Sequence, residues 1–158
     1  MAKRQQISFD MREGLCFGCG RNNPIGLKLD FKWDGKTARA EFTPTEFYQG
    51  WPGIVHGGIT TSLLDEAMGW ATRLSGLNAV TAKIKASFKR PIPVGERLII
   101  SGFITGNKGK YIESKAEVSL PNGTLMAEGT STYVVIETMP AEANSEEAKS
   151  RSDVEKQA

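Results

Sequence analysis

Apolar side chains repeat at two different intervals along this chain, and the changes of interval divide it into elements. From Leu27 to Trp33 the apolar positions Leu27, Leu29, Phe31 and Trp33 alternate with Lys28, Asp30 and Lys32, the period of a half-buried strand. Asp34–Gly35 is a tight-turn dipeptide and Thr37–Phe42 alternates again, so these segments predict a hairpin. Residues 43–53 carry aromatics and two prolines without a period. Between Gly57 and Leu74 the spacing is helical. The second half returns to strands at Ala79–Phe88, Glu96–Thr105, Lys110–Leu120 and Thr124–Ile136, with PIPVG at 91–95, Gly106–Gly109 and PNG at 121–123 as the breaks. Alternation puts Thr81, Lys83 and Lys85 on one face of the first of these strands.

Two strands, one long helix and four strands make an α+β architecture with the helix on one face of a largely antiparallel sheet. On a helical wheel Ile59, Leu63, Ala67, Trp70, Ala71 and Leu74 span roughly 120°, and Leu64 and Met68 widen the arc to roughly 180°. A helix resting on a single sheet needs less. The excess predicts a second buried contact for the helix, which a second subunit would supply.

Length and composition narrow the class without naming a function. At 158 residues, 39% hydrophobic and 24% charged, the chain has the make-up of one soluble globular domain. No stretch approaches the ~18 consecutive apolar residues of a membrane span, and MAKRQQISFDMREG lacks the apolar core of a signal peptide. Two cysteines, Cys16 and Cys19, are too few for a disulfide framework, and a cytoplasmic protein is expected. Residues 1–14 read as a flexible polar arm, 15–138 as the domain, and 139–158, rich in Ala, Glu, Ser and Lys, as a disordered tail.

The net charge is +2, and outside residues 140–158 there are 17 basic against 13 acidic side chains. That mild surplus suits a phosphate-bearing small ligand and falls short of the basic stripe of a nucleic-acid binder.

The stretch Gln49–Ala71, QGWPGIVHGGITTSLLDEAMGWA, holds the candidate chemistry. His56-Gly57-Gly58 opens the helix, where the first amides lack intrahelical partners and glycine lets a ligand approach the backbone. Free amides at the positive end of the helix dipole suit a polarised carbonyl or a developing oxyanion. Asp65 and Glu66 lie about two turns on, at the two borders of the apolar arc. Helical geometry does not choose between them.

HGG with an acid nine residues after His56, in LLDEAMGWA, resembles the PaaI-type branch of hotdog-fold thioesterases. CFGCGRNNPIGLKLDF, the lead-in QGWPGIVHGG, RPIPVGERL and NGTLMAEGTSTYVV fit the same pattern, so the resemblance spans about Leu15–Ile136. It implies a long central helix wrapped by a curved antiparallel sheet. It also implies a homodimer or homotetramer whose sites lie between subunits, and hydrolysis of an acyl-CoA to free acid and CoA without metal or organic cofactor.

By the same resemblance Asp65 is the carboxylate that attacks the thioester or activates water. The Gly57 amide polarises the thioester oxygen, and His56 shapes the turn or holds the thioester. Thr81 stands near the water on the partner subunit's strand, and Gln49 or Gly50, with Gln49 favoured for its amide, positions that water. Gly58 with Lys89, Arg90, Lys108 and Lys110 meets the CoA moiety. Ordinary structural roles compete throughout: a capping histidine, a solvated aspartate, a threonine chosen for the strand, and loop charges in water.

Cys16 and Cys19 form a CxxC, but a structural zinc site takes four ligands and the single histidine is engaged elsewhere, so a structural loop is expected and no metal. No GxSxG, P-loop or dinucleotide fingerprint occurs. A hotdog dehydratase acting on hydroxyacyl thioesters and a non-catalytic acyl-CoA binding module are the rival readings.

Overall fold

The computed structural model describes residues 13–136. The predicted tail at 139–158 and all but the last two residues of the predicted arm lie outside that range. Six strands and one helix follow in the order β1 (Lys32–Trp33), β2 (Thr37–Phe42), α1 (Gly57–Leu74), β3 (Ala79–Phe88), β4 (Leu98–Asn107), β5 (Tyr111–Ser119) and β6 (Leu125–Val135), with a 3-10 turn at Glu46–Tyr48. The strands form one antiparallel sheet in the order β1-β2-β4-β5-β6-β3, with α1 held against strands β2 to β6. This is the helix-and-curved-sheet arrangement that the resemblance implies.

The helix approaches the sheet closely because small residues let it. A Cβ built at Gly102 on β4 would lie 2.4 Å from the carbonyl oxygen of Ala67. At Gly129 on β6 it would meet the Lys85 carbonyl at 3.2 Å and a Leu64 methyl at 3.3 Å. Leu63, Leu64, Ala67, Met68 and Ala71 are thereby wholly buried in a single chain, together with Leu98, Ile100, Ile112 and Val118 of the sheet. Most of the 180° arc is therefore covered within the chain, with Ile59 and Leu74 left partly exposed. The curved sheet covers more of the helix than a flat one would, and the segment before β1 covers another part, where Phe31 stacks on Trp70 at 6.3 Å.

That segment departs from the predicted strand. Leu27, Leu29 and Phe31 are buried and Lys28 and Asp30 exposed, as alternation requires, yet only Lys32 and Trp33 pair with β2. The amides of Leu27 and Leu29 donate instead to the carbonyls of Phe17 and Gly18, at 2.8 and 2.9 Å. The buried glycine-rich loop outcompetes a strand partner, and Lys28 takes a left-handed φ of 53° where the chain bends between the two bonds. Glu13, expected in the loose arm, is tied down: its carbonyl accepts from the Asn22 amide and its carboxylate pairs with Arg21 at 3.4 Å.

In β3 the pairing register slips between Thr81 and Lys83, leaving Ala82 as the extra residue of a bulge. Thr81 stands opposite the buried Tyr133, and Lys83 opposite Thr132 on the other face. The expected single face for Thr81, Lys83 and Lys85 is thus corrected, because alternation breaks at the bulge. No helix among the described residues is long and apolar enough to cross a membrane.

Gly102→Val should destabilise the domain by about 1–3 kcal/mol or more, since the helix backbone it meets cannot rotate aside as a side chain would. Urea unfolding of the two proteins checks this, with an unchanged midpoint as the contrary result.

Candidate active site

Asp65 projects from the middle of α1 toward the join of β3 and β6. Its Oδ1 accepts from Thr81 Oγ1 at 2.9 Å and from Tyr133 Oη at 3.1 Å, and Tyr133 Oη also lies 3.0 Å from the Asp65 carbonyl oxygen. Thr81 and Tyr133 are a directly opposed cross-strand pair, so one rung of the sheet delivers both hydroxyls to one oxygen. Burial and the adjacent Asp65 push the Tyr133 phenol well above its ordinary value, so it stays protonated and able to donate. Oδ2 has no partner among the described residues. Asp65 lines a cavity of about 300 Å³ together with Glu66, Gly69, Trp70, Val80, Thr81 and Tyr133.

Thr81 lies beside Asp65 within one chain. The implied division, with Thr81 coming from the partner subunit, is corrected: the bulge at Ala82 turns Thr81 inward to its own helix. Tyr133 is the residue that sequence reasoning missed. Its signal was the alternation Gly129, Ser131, Tyr133 on β6, which leaves a phenol on the helix-facing side where a small or apolar residue would pack without a polar partner.

At the other end of α1, His56 is the N-cap. Its Nδ1 accepts from the Gly58 amide at 2.8 Å and shapes the turn. The Gly58 amide is thereby spent, which removes it as a donor to a ligand. The Gly57 amide makes no hydrogen bond within the described residues, and Phe88 lies beside Gly57, with a Cβ built there 3.6 Å from its ring. Gln49 uses Oε1 to accept from the Gly53 amide at 3.0 Å, which leaves its NH₂ available. Gln49, His56, Gly58, Tyr48, Ile59 and Ser62 line a second, open cavity of about 390 Å³.

The four cations expected at the CoA moiety divide between two ends of the sheet. Lys89 and Arg90 follow β3 next to Phe88, and Lys89 pairs with Glu128 at 3.3 Å. Lys108 and Lys110 flank the β4–β5 turn, where the Lys110 carbonyl accepts from Val135, the residue opposite Ala79 at the start of β3. The length of β3, roughly 30 Å at 3.3 Å per residue, separates the two pairs, so they do not line one mouth in one chain. Lys108 also pairs with Glu113 at 3.1 Å, and Lys110 lies 5.8 Å from the Tyr111 ring centre.

Glu66, one position from Asp65, turns the other way. Cys16 Sγ lies 3.4 Å from its Oε1, and no Lys or Arg pairs with it among the described residues. Burial, then the neighbouring Cys16, pushes the Glu66 carboxyl up to about 8. Both acids border the same cavity, and their partners differ: two hydroxyls at Asp65, and Cys16 at Glu66.

A family model described as the thioesterase superfamily matches residues 52–127, which include α1, Asp65 and Thr81. Acyl-coenzyme A thioesterase THEM4 of Bos taurus is 29% identical over 105 residues, covering 66% of this chain and 43% of that protein. The mouse protein of the same name is 25% identical over 138 residues, 87% of this chain and 56% of its own length. This chain thus spans about half the length of the curated relatives it matches. Among solved structures, the thioesterase superfamily protein RHA08564 superposes with a TM-score of 0.71 at 27% identity over 74% of this chain and 61% of that one.

Replacing His56 by Ala should remove the helix cap and cost about 1 kcal/mol, within the usual 0.5–2 kcal/mol for a lost N-cap. A thermal melt reads this directly, and an unshifted midpoint would mean that the Nδ1 bond contributes nothing to the helix start.

Proposed function

We propose that this chain, a hotdog-fold domain of the thioesterase superfamily, hydrolyses acyl-CoA thioesters with Asp65 as its working carboxylate. The observation that carries the reading is the asymmetry of that carboxylate. Two hydroxyls fix Oδ1, Oδ2 has no partner among the described residues, and Asp65 lines a cavity. Such an oxygen is oriented to attack a thioester carbonyl or to take a proton from water attacking it. With Asp65 as base, the water oxygen bonds to the carbonyl carbon, the acyl–sulfur bond breaks, and the proton taken by Asp65 passes to the sulfur, giving free acid and CoA thiol. With Asp65 as nucleophile, CoA leaves as the acyl-aspartyl anhydride forms, and water then hydrolyses that anhydride to the free acid.

The oxyanion needs a donor, and the free Gly57 amide is the candidate. Gly57 and Asp65 are eight residues apart on one helix, about 12 Å along its axis. A donor and a nucleophile acting on the same carbonyl must each be about 3–3.5 Å from it. One chain therefore cannot supply both. A second copy, with its helix antiparallel to the first, brings its Gly57 and Gln49 to the Asp65, Thr81 and Tyr133 of its neighbour and makes two equivalent sites. The unpaired edge of β3, with Val80 48% and Phe88 56% exposed, supports pairing of the two sheets there. Lys89 and Arg90, which follow the Phe88 that lies beside Gly57, arrive with that copy and join Lys108 and Lys110 at the mouth, where their charge suits the phosphates of CoA.

Thiol release from a panel of short, medium, long and aryl acyl-CoAs tests the activity. Asp65→Asn should abolish turnover with the fold intact; retained turnover would sink the assignment. Tyr133→Phe removes one hydrogen bond to a charged oxygen, worth about 1.5–3 kcal/mol, so kcat/KM should fall roughly tenfold to a hundredfold.

Gly57→Pro tests the composite site, because proline is tolerated at the first helical position but has no N–H to donate. The single variants should be inactive, and mixed subunits of Gly57→Pro and Asp65→Asn should regain activity through the one complete site. No recovery from a demonstrated mixed dimer would refute the division of the site between copies.

A further inference from the structure

Outside the Asp65 site, one cluster has chemistry that thioester hydrolysis does not use. Cys16, Cys19 and the Glu66 carboxylate converge from the N-terminal loop and from α1, 47 residues apart in sequence at their nearest, with their ligating atoms all within 4.8 Å of one another. Cys19 is 1% exposed and Cys16 half-buried. We propose that these three side chains form a binding site for a soft divalent metal ion of the zinc type, which clasps the N-terminal loop to the central helix.

The donor set suits that ion. Two thiolates select zinc-like ions over magnesium or calcium, and a carboxylate is an accepted third ligand. Around an ion with metal–sulfur bonds of about 2.3 Å and metal–oxygen bonds of about 2.0–2.2 Å, tetrahedral ligand atoms stand roughly 3.5–3.8 Å apart. The Cys16 Sγ to Glu66 Oε1 distance of 3.4 Å already has that scale. Small adjustments would close the rest of the cluster on an ion.

The backbone is shaped to hold the ligands where they are. Gly18, between the cysteines, leaves room for the carboxyl group: a Cβ there would lie 2.1 Å from Glu66 side-chain carbons and 2.4 Å from Oε1. The turn is drawn tight by the Gly20 amide on the Cys16 carbonyl at 2.9 Å, and a Cβ at Gly20 would strike the Gly14 carbonyl and Cys16 backbone at 2.4–2.8 Å. Leu27 and Leu29 bond to Phe17 and Gly18 and fix the loop from outside. No fourth His, Cys, Asp or Glu joins the group among the described residues, so the fourth position would be filled by water.

The test uses the untagged full chain, reduced and freed of metal. Cadmium should bind one ion per chain with a thiolate-to-metal charge-transfer absorption, and zinc added to the metal-free chain should raise the melting temperature. Cys16→Ser and Cys19→Ser should lose the absorption, and Glu66→Gln should weaken binding roughly tenfold or more. No charge-transfer absorption in the reduced, folded chain would overturn the site. Undiminished affinity in folded Glu66→Gln would overturn the three-ligand arrangement.

Should the cysteine variants fail to fold, alkylation of the wild-type thiols decides. Zinc should slow modification of both cysteines and a chelator should restore it; an unchanged rate would overturn the proposal. Every one of these readings is independent of acyl-CoA turnover.

Discussion

The distance between the central helix and the sheet governs everything else in this domain. At Gly102 the helix backbone sits where a side chain of the sheet would otherwise stand, with the Ala67 carbonyl 2.4 Å from the place a Cβ would take. Removing side chains at Gly102 and Gly129 lets the sheet close around α1 and bury Leu63, Leu64, Ala67, Met68 and Ala71 completely. Those residues supply the burial that offsets the entropy of ordering the chain. They also set the depth of the helix, and so the height at which Asp65 meets β3 and β6.

From that depth follows the character of the carboxylate. A helical aspartate is ordinarily a solvated surface residue, but here a cross-strand pair reaches it with two hydroxyls on one oxygen. The bulge at Ala82 makes this possible by turning Thr81 to the helix side of an edge strand. The other acid of the pair, Glu66, leaves the helix about 100° further round and enters a loop of different chemistry. Two adjacent carboxylates thus meet different partners because a helix sends neighbours in different directions.

The N-terminal loop completes the fold and is more than a lead-in to the sheet. It takes the amides of Leu27 and Leu29 that a strand partner would have used, and its glycines admit the Glu66 side chain between two cysteines. Phe31 and Trp70 seal the helix beside it. Loop, helix and sheet therefore share one core.

The sequence by itself determined the elements and the identity of the acid-bearing helix. Periods of two and of 3.6 depend only on neighbours in the chain, so β3 and α1 lie where alternation and helical spacing predict them, and the other long strands within about two residues. HGG likewise marked the helix start, where His56 caps and the Gly57 amide has no partner among the described residues. Pairing and facing were decided by the tertiary structure. The extended 27–31 segment bonds to a loop instead of a strand, the bulge brings Thr81 to its own chain's Asp65, and Tyr133 joins them from 68 residues away. The four surface cations, near one another by expectation, stand at opposite ends of a strand. The physical reason is common to all: local periodicity fixes which way a side chain points along its own element, whereas what it meets depends on register and on the depth at which two elements pack.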